Sequence, residues 1–251
     1  SFSDGGKYNK KNKSFKNISN MIQAGAKIVD VGGESTRPGS STISNDNEWK
    51  RIKFVIKNFK KKYKNISLSV DTRKTEIMLK AISNKADLIN DVSGFNYDKD
   101  SLYKLKKFKT SKVIHHMQGT PNTMQIKPMY KNVLLDIYDF FEDKIKFLRK
   151  IGINHNNIIL DPGIGFGKNL KHNMTLIKNI SIYHSLGLPI LLGISRKKFI
   201  KELSKNNDSS LRIGGTISSS IFAMMQGVQM LRVHDVNEIN QSIRVFKELT
   251  K

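Results

Sequence analysis

The stretch AKIVDVGGESTRPG, residues 26–39, joins an apolar run to a cluster of glycine, hydroxyl and charged residues. The same arrangement recurs in SLSVDT (67–72), LINDVSG (88–94), KVIHHMQG (112–119), IILDPGIGFGK (158–168), LPILLGISRK (188–197) and MLRVHDV (230–236). Each apolar run is short and rich in Ile, Val and Leu, which is typical of a strand buried on both faces of a parallel sheet. Helix-like stretches separate the runs. The sequence therefore predicts an α/β fold built from repeated strand–helix units.

Polar residues follow the carboxyl end of each of these seven predicted strands. A (β/α)₈ TIM barrel needs polar groups there, because its active site lies at that rim. Such a barrel has eight strands, so we expect the first strand to be missing from this chain, through a fragment or a misplaced start. No Pro-, Gly- or Ser-rich linker and no change of composition marks a second domain. We predict one domain over residues 1–251.

Helical periodicity and capping signals fill the intervals between the strands. Helices are predicted over 14–25, 45–64, 131–151, 171–185, 210–227 and 237–249, with a loop at 205–210. Gly25 suits the C-terminal cap of the first of these helices.

Composition excludes several classes of protein. The chain has 251 residues, enough for one barrel domain with a large core. It has no Cys, which excludes a disulfide framework and a thiolate metal site. No apolar run is long enough to span a bilayer, and the opening SFSDGG is not a signal peptide. We expect a cytoplasmic enzyme that does not bind membranes.

The formal net charge of +23 raises the alternative of a nucleic-acid-binding protein on a barrel scaffold. Of the 44 basic residues 36 are Lys, spread over most helices and loops, and no nucleic-acid-binding motif surrounds the densest runs. This distribution favours a solvated surface that attracts anionic substrates, with no specific nucleic-acid partner.

The strand ends would bring together a varied set of polar groups at one rim. The set contains the acids Asp71 and Asp161, the amide Asn90, the cations Arg37, Lys197 and Arg232, the hydroxyls Thr36 and Ser195, and the imidazole His234. Taken singly each has an ordinary explanation: an Asp after a strand is often a helix N-cap, and a His is often structural. Together, carboxylates and an amide suit the donor-rich edge of a fused heterocycle, and Arg and Lys beside His suit a phosphorylated leaving group.

Eight motifs occur in the order and approximate spacing of the dihydropteroate synthase family, which the chain resembles over essentially its whole length. They are SFSDGG, DVGGESTRPGS, SVDT, LINDVSG, HMQGTPNTMQ, LDPGIGFGK, GISRKKFI and RVHDV. The resemblance implies a transferase of folate biosynthesis on a pterin-binding barrel. It would condense 6-hydroxymethyl-7,8-dihydropterin pyrophosphate with 4-aminobenzoate, giving 7,8-dihydropteroate and pyrophosphate.

Site residues carry over from the family where the motifs match. The resemblance implies a pterin site of Asp71, Asn90, Asp161 and Lys197, and a pyrophosphate site of Arg37, Arg232 and His234. The aminobenzoate site and its loops would take Phe2, Thr36, Arg37, Pro38, Phe166, Ser195 and Lys197. Asp71, Lys197, Arg232 and His234 would be catalytic, acting on charge that develops as the pterin carbon–oxygen bond ionises.

The resemblance also implies a Mg²⁺ cofactor, with Asp4 of the first loop as a metal ligand, and a homodimer. Two departures from the family pattern stand out. The family's first loop normally begins with Asn-Val-Thr-Pro-Asp directly before SFSDGG, and its Asn is a metal or pyrophosphate ligand; that stretch is absent here. His115 stands where the family usually carries Met in the pterin pocket, and its neighbour His116 should point to the opposite side of the strand.

Two enzyme-like alternatives stay open beside this interpretation. A corrinoid-linked methyltransferase barrel shares the Asp, Asn and Asp pterin set but does not need STRPG, SRK or RVHD. A degenerate paralogue would keep the pterin pocket and lack catalysis.

Overall fold

The computed structural model describes residues 11–36 and 39–251, without the side chains of residues 11 and 12. Its strands are β1 Ile28–Gly32, β2 Ser67–Asp71, β3 Leu88–Asp91, β4 Ser111–His115, β5 Ile158–Asp161, β6 Leu191–Leu192 and β7 Met230–Leu231. Its α-helices are α1 Lys11–Gln23, α2 Asn45–Lys62, α3 Thr75–Ser83, α4 Ser101–Leu105, α5 Val133–Lys150, α6 Leu170–Lys178, α7 Lys198–Ser204, α8 Ile213–Met225 and α9 Val236–Leu249. All seven predicted strands are confirmed.

The strands are parallel wherever their pairing is described. The strand order is β1-β2-β3-β4-β5 in one sheet and β6-β7 in a second. The chain divides into two compact units: residues up to His115 with Lys144–Ile158, and His116–Asp143 with Ile159–Lys251. The single-domain assignment stays a prediction, as does a first strand ahead of residue 1.

The first unit is built around the central strands β2 and β3. Leu68, Val70 and Ile89 are fully buried, because helices as well as neighbouring strands cover these residues. Helix α2 buries Ile56 and Phe59 on one face. Its acidic first turn and its last turn of three Lys complement the helix dipole, as its sequence predicted.

The second unit packs its own apolar core around β5 and β6. Tyr183 is fully buried, meets the Phe141 ring edge-to-face at 5.5 Å and donates its hydroxyl to the Leu134 carbonyl at 3.2 Å. A bridge joins Leu160 to Ile190, and β6 pairs with β7. The carboxyl ends of β5, β6 and β7 therefore lie close together within this unit.

One predicted helix was wrong as a continuous element. Residues 171–185 contain α6, which ends at Lys178, and then a 3₁₀ segment, Ile180–Leu186. The break falls at Asn179, where φ is −125° and the backbone N–H donates to the Leu176 carbonyl at 3.3 Å. Its side-chain amide donates to the Thr175 carbonyl at 2.9 Å, but Asn58 makes the same kind of bond to Phe54 within the continuous helix α2, so this bond alone does not interrupt a helix.

The other predicted helices agree with the structure to within a few residues, and Gly25 ends the first helical stretch with φ of +105°. None of the helices between residues 11 and 251, where described, is both long and apolar enough to cross a membrane.

Candidate active site

Two predicted pterin residues lie side by side at the carboxyl ends of β2 and β3. Asp71 and Asn90 are register partners on these parallel strands, and the backbone N–H of Thr72 donates to the Asn90 carbonyl at 3.0 Å. Side chains of register partners leave the same face of a sheet. Asp71 is the last residue of β2 and the cap position of α3 is Lys74, so Asp71 is not a helix cap.

Gly32 leaves open space beside this pair because it has no side chain, and the Asn90 side chain places a polar oxygen there. Gly32 is the register partner of Asp71 on β1, and a Cβ there would lie 3.3 Å from the Asp71 Cβ. The side-chain oxygen of Asn90 is buried and accepts no hydrogen bond from residues 11–36 and 39–251. A buried carbonyl oxygen of this kind costs free energy unless it finds a donor. The geometry therefore provides an acceptor for a ligand N–H.

Asp161, Lys197 and Arg232 form a charged group at the ends of β5, β6 and β7 in the second unit. Asp161 ends β5 and accepts the Gly163 N–H at 2.8 Å. Burial raises the pKa of the Asp161 carboxyl, opposed by Lys197, that hydrogen bond, Arg232 and Lys168. Burial lowers the pKa of Lys197 to about 8, although Asp161 opposes the change. An acid and a base with such shifted values are typical of functional sites.

The loop between β5 and α6 places an aromatic ring against this lysine. The Lys197 ammonium lies 4.5 Å from the centre of the Phe166 ring and donates to the Ile164 carbonyl. Gly165, with φ of +82°, leaves room for the lysine, since a Cβ there would lie 3.3 Å from the Lys197 Cδ. Phe166 and Lys197, which the sequence assigned to the aminobenzoate site, are therefore in contact.

Ser195 and His234 also meet, as their shared rim position predicted. The Ser195 hydroxyl oxygen lies 3.0 Å from His234 Nδ1 and accepts the His234 backbone N–H at 3.3 Å. Arg232 and His234 follow β7, and the Arg232 N–H donates to the Leu192 carbonyl at 3.0 Å. The imidazole is solvent-exposed and Arg232 is half-buried, so both lie where an anion can reach them.

Two further contacts in this unit were not predicted from the sequence. Arg196 pairs with Asp235, its Nε donating to the carboxylate at 2.9 Å, which ties SRK to RVHD. Buried Lys168 donates to the Phe166 carbonyl at 2.9 Å and lies 3.0 Å from His116 Nδ1. These four residues lie within the same motifs as the predicted site residues. Their position in those motifs was the only feature of the sequence that could have indicated the contacts.

The paired histidines at the end of β4 take different partners. His115 Nδ1 lies 2.9 Å from the Val92 carbonyl oxygen, in the first unit. His116 contacts Lys168 and meets the Phe140 ring edge-to-face at 4.9 Å, in the second. They do not share a site, as alternation along the strand predicted.

Four predicted residues lie outside the described part of the chain: Phe2, Asp4, Arg37 and Pro38. Thr36 is described and half-buried after β1. Among residues 11–36 and 39–251 no three His, Asp or Glu side chains gather as a metal site. The described residues alone therefore do not form a cage for Mg²⁺, and the predicted ligand Asp4 stays a prediction. That Asp71, Asn90, Asp161 and Lys197 line one pocket likewise stays a prediction.

Comparison with known proteins identifies the family. The pterin-binding enzyme family matches residues 1–234. The dihydropteroate synthase of Escherichia coli (strain K12) is 38% identical over 247 residues, covering 98% of this chain and 86% of the relative. That of Streptococcus pyogenes is 37% identical over 250 residues, covering 99% and 91%.

Solved structures give the same result. The Yersinia pestis dihydropteroate synthase in complex with a sulfonamide drug has a TM-score of 0.95 at 36% identity, covering 100% of this chain and 90% of that one. The Xanthomonas albilineans enzyme with 4-aminobenzoic acid has a TM-score of 0.90 at 31% identity, covering 99% and 88%. The predicted fold class, the TIM barrel of these enzymes, is thereby confirmed. The chain belongs to the dihydropteroate synthase family of pterin-binding enzymes.

Proposed function

We propose that this transferase joins 6-hydroxymethyl-7,8-dihydropterin pyrophosphate to 4-aminobenzoate, forming 7,8-dihydropteroate and releasing pyrophosphate. The family membership supports this reaction, and one local observation carries the pterin assignment. The Asn90 oxygen is a buried acceptor that takes no donor from the described part of the chain, and it lies beside its register partner Asp71. The guanidine-like edge of a pterin offers N–H groups that match a carboxylate next to an amide oxygen.

In this proposal Asp71, Asn90, Asp161 and Lys197 bind the pterin. The carboxylates accept hydrogen bonds from the heterocycle and stabilise positive charge on the pterinylmethyl carbon as its bond to oxygen breaks. Burial raises the pKa of Asp161 and lowers the pKa of Lys197, because it disfavours the charged form of each side chain. Hydrogen bonds from a bound polar heterocycle would offset this cost of burial.

The leaving pyrophosphate would be bound by Arg232 and His234, with Arg37 from the loop after β1. Arg232 and His234 stand two residues apart after β7, near the end of β6 where Ser195 contacts the imidazole. Arg offers a planar fork of donors and His one further donor, which suits phosphate oxygens.

The aminobenzoate would lie between Phe166, Lys197 and Ser195, with Thr36, Pro38 and Phe2 contributed by loops. The Phe166 ring can stack on the benzoate ring, and the Lys197 ammonium beside it can pair with the carboxylate. The arylamine then attacks the pterinylmethyl carbon and gives up a proton, so that the new carbon–nitrogen bond replaces the broken carbon–oxygen bond.

Mg²⁺, a homodimer and a cytoplasmic location remain part of the proposal. Mg²⁺ would neutralise charge on the leaving pyrophosphate, but the described residues form no metal cage, so no step is derived through the ion. A chelator should abolish turnover, and added Mg²⁺ should restore it.

Asn90→Ala tests the carrying observation. We expect it to reduce turnover by roughly 10²-fold, the cost typical of removing one aimed group, and to weaken pterin binding in calorimetry. Asn58→Ala is the matched control, because the side-chain amide of Asn58 donates to the Phe54 carbonyl within helix α2. If the wild-type protein forms no dihydropteroate with Mg²⁺ present while it binds pterin, the degenerate-paralogue interpretation replaces this proposal.

A further inference from the structure

A buried cluster of four charged side chains lies behind the end of strand β1, outside the predicted substrate sites. It consists of Glu34, Glu48, Arg73 and Lys74, each less than a tenth exposed. Arg73 Nη2 and Nε donate to Glu34 Oε2 at 2.7 and 3.1 Å. Lys74 Nζ lies 3.0 Å from Glu34 Oε1 and 2.6 Å from Glu48 Oε2. The two acids and two bases neutralise one another.

Glu34 differs from the other members because it also closes a loop. Its Oε1 accepts the backbone N–H of Ile43 at 2.9 Å, nine residues along the chain. A second contact draws the same segment together, since the Ser40 hydroxyl donates to the Ser35 carbonyl at 2.6 Å. The segment between Glu34 and Ile43 carries Thr36, one of the proposed aminobenzoate residues. One carboxylate therefore fixes both ends of that segment.

The partners of Glu34 on β2 are equally specific. Gly32 is the register partner of Asp71, and Glu34 and Arg73 each stand two residues further on. Their ion pair therefore joins the two chain segments just beyond the last register pair of strands β1 and β2. The Arg73 guanidinium also lies 4.5 Å from the centre of the Tyr97 ring, which fixes its orientation. Glu34 thus joins the segment bearing Thr36 to the strand end bearing Asp71.

The protonation state of Glu34 agrees with a permanent clamp. Burial alone would raise its pKa, but the Ile43 N–H, Arg73 and Lys74 together hold the pKa below its ordinary value. The carboxylate therefore stays charged at neutral pH and keeps its partners.

We propose that Glu34 is a positioning residue, which sets the segment carrying Thr36 against the end of β2 so that the arylamine meets the pterin in the right geometry. This rests on the proposed function for its kinetic consequence, but the clamp itself does not. Small errors of placement are costly in a two-substrate reaction. In this proposal Glu34 acts through the segment that it holds and not by contact with a substrate.

The test compares Glu34→Met, which removes both acceptor oxygens at this position, with Glu48→Met, which removes a buried carboxylate from the same cluster but leaves the Ile43 hydrogen bond intact. We expect Glu34→Met to raise the KM for 4-aminobenzoate by about tenfold, with the KM for the pterin substrate within about twofold of wild type. Glu48→Met should leave both KM values unchanged, whatever it does to stability. Equal effects of both variants on the two KM values would mean that the cluster is a general stabiliser, and the proposal would be wrong.

Hydrogen exchange gives a readout independent of turnover. The Ile43 amide and its neighbours in residues 39–43 should exchange faster in Glu34→Met than in wild type or Glu48→Met. Unchanged exchange in Glu34→Met overturns the clamp, whereas absence of dihydropteroate formation by the wild-type protein overturns only the proposed function. If Glu34→Met does not fold, Arg73→Lys keeps the charge and removes the two-nitrogen contact. It should shift exchange and KM in the same direction by a smaller amount.

Discussion

Replacing Lys197 by Met should stabilise the protein while it reduces turnover. Lys197 lies against Asp161, Arg232 and Phe166, and burial lowers its pKa to about 8 from the ordinary 10.5. At 1.36 kcal/mol per pKa unit that difference corresponds to about 3 kcal/mol. The native state therefore bears a cost of this size when the amine is charged, and the unfolded chain does not.

The pH dependence of this cost has a definite sign. Because the folded pKa lies below the unfolded one, the wild type has its full stability above about pH 10.5. It loses stability as the pH falls towards about 8, and below that the loss stays constant. The Lys197→Met variant carries no charge at this position, so its stability does not fall in this way. The variant does lose the hydrogen bond to the Ile164 carbonyl, which costs about 1 kcal/mol, so it should be more stable than wild type by about 2 kcal/mol at pH 7.

Urea unfolding at intervals between pH 7 and 10 measures the difference in free energy of unfolding between Lys197→Met and wild type. Lys198→Met sets the baseline, because the side chain of Lys198 is 73% exposed and its removal takes away a charge of the same sign. The advantage of Lys197→Met should shrink as the pH rises, while turnover falls by roughly 10²-fold or more at all pH values. An advantage that does not vary with pH, or a variant less stable than wild type at pH 7, would refute the reasoning.

Two further predictions concern the loop after β5 and the anion site. Gly167→Ala should destabilise the protein by about 2 kcal/mol or more, measured by urea unfolding, because Gly167 has φ of +65° and a Cβ there would lie 2.6 Å from the Gln118 carbonyl oxygen. Gly39→Ala, also at positive φ but with open space around it, separates backbone strain from the clash, and equal losses in both would contradict the packing argument. Arg232→Ala should weaken calorimetric binding of inorganic pyrophosphate strongly and leave binding of a free pterin largely intact. Equal losses for both ligands would mean that the whole strand end is perturbed.

The strands and their polar ends could be predicted because each is encoded locally. An apolar run of four or five residues followed by Asp, Asn or Arg is visible in the sequence, and the structure ends β2, β3 and β5 at Asp71, Asp91 and Asp161. The break at Asn179 could not be predicted in this way. Asn58 and Asn179 each donate a side-chain amide to the carbonyl four residues earlier, yet only Asn179 stands at a helix end, so the residue type carries no signal for the break.

The buried charges were also beyond the reach of the sequence. Glu34 and Arg73 stand 39 residues apart, and nothing local distinguishes their ion pair from two solvated side chains. The same holds for Lys168 with His116 and for Arg196 with Asp235, whose partners become neighbours only through the parallel order of the strands. Among the many Lys of this basic chain, tertiary structure alone reveals which few are buried.

The Glu34 cluster and the Asp161–Lys197 pair differ in the direction of their pKa shifts, and this difference distinguishes a structural role from a role in substrate binding. Glu34 is held below its ordinary pKa by bonds that compensate its burial, so the cluster behind β1 has its partners in place. Asp161 and Lys197 remain shifted in the direction that burial dictates, because their neighbours do not compensate it fully. A buried charge whose partners fully compensate its burial has little to gain from a ligand. A buried charge that is only partly compensated is stabilised by the hydrogen bonds that a ligand brings. On this argument stabilising substitutions should concentrate at Lys197 and its neighbours at the expense of turnover, and substitutions in the Glu34 cluster should lose stability and substrate placement together.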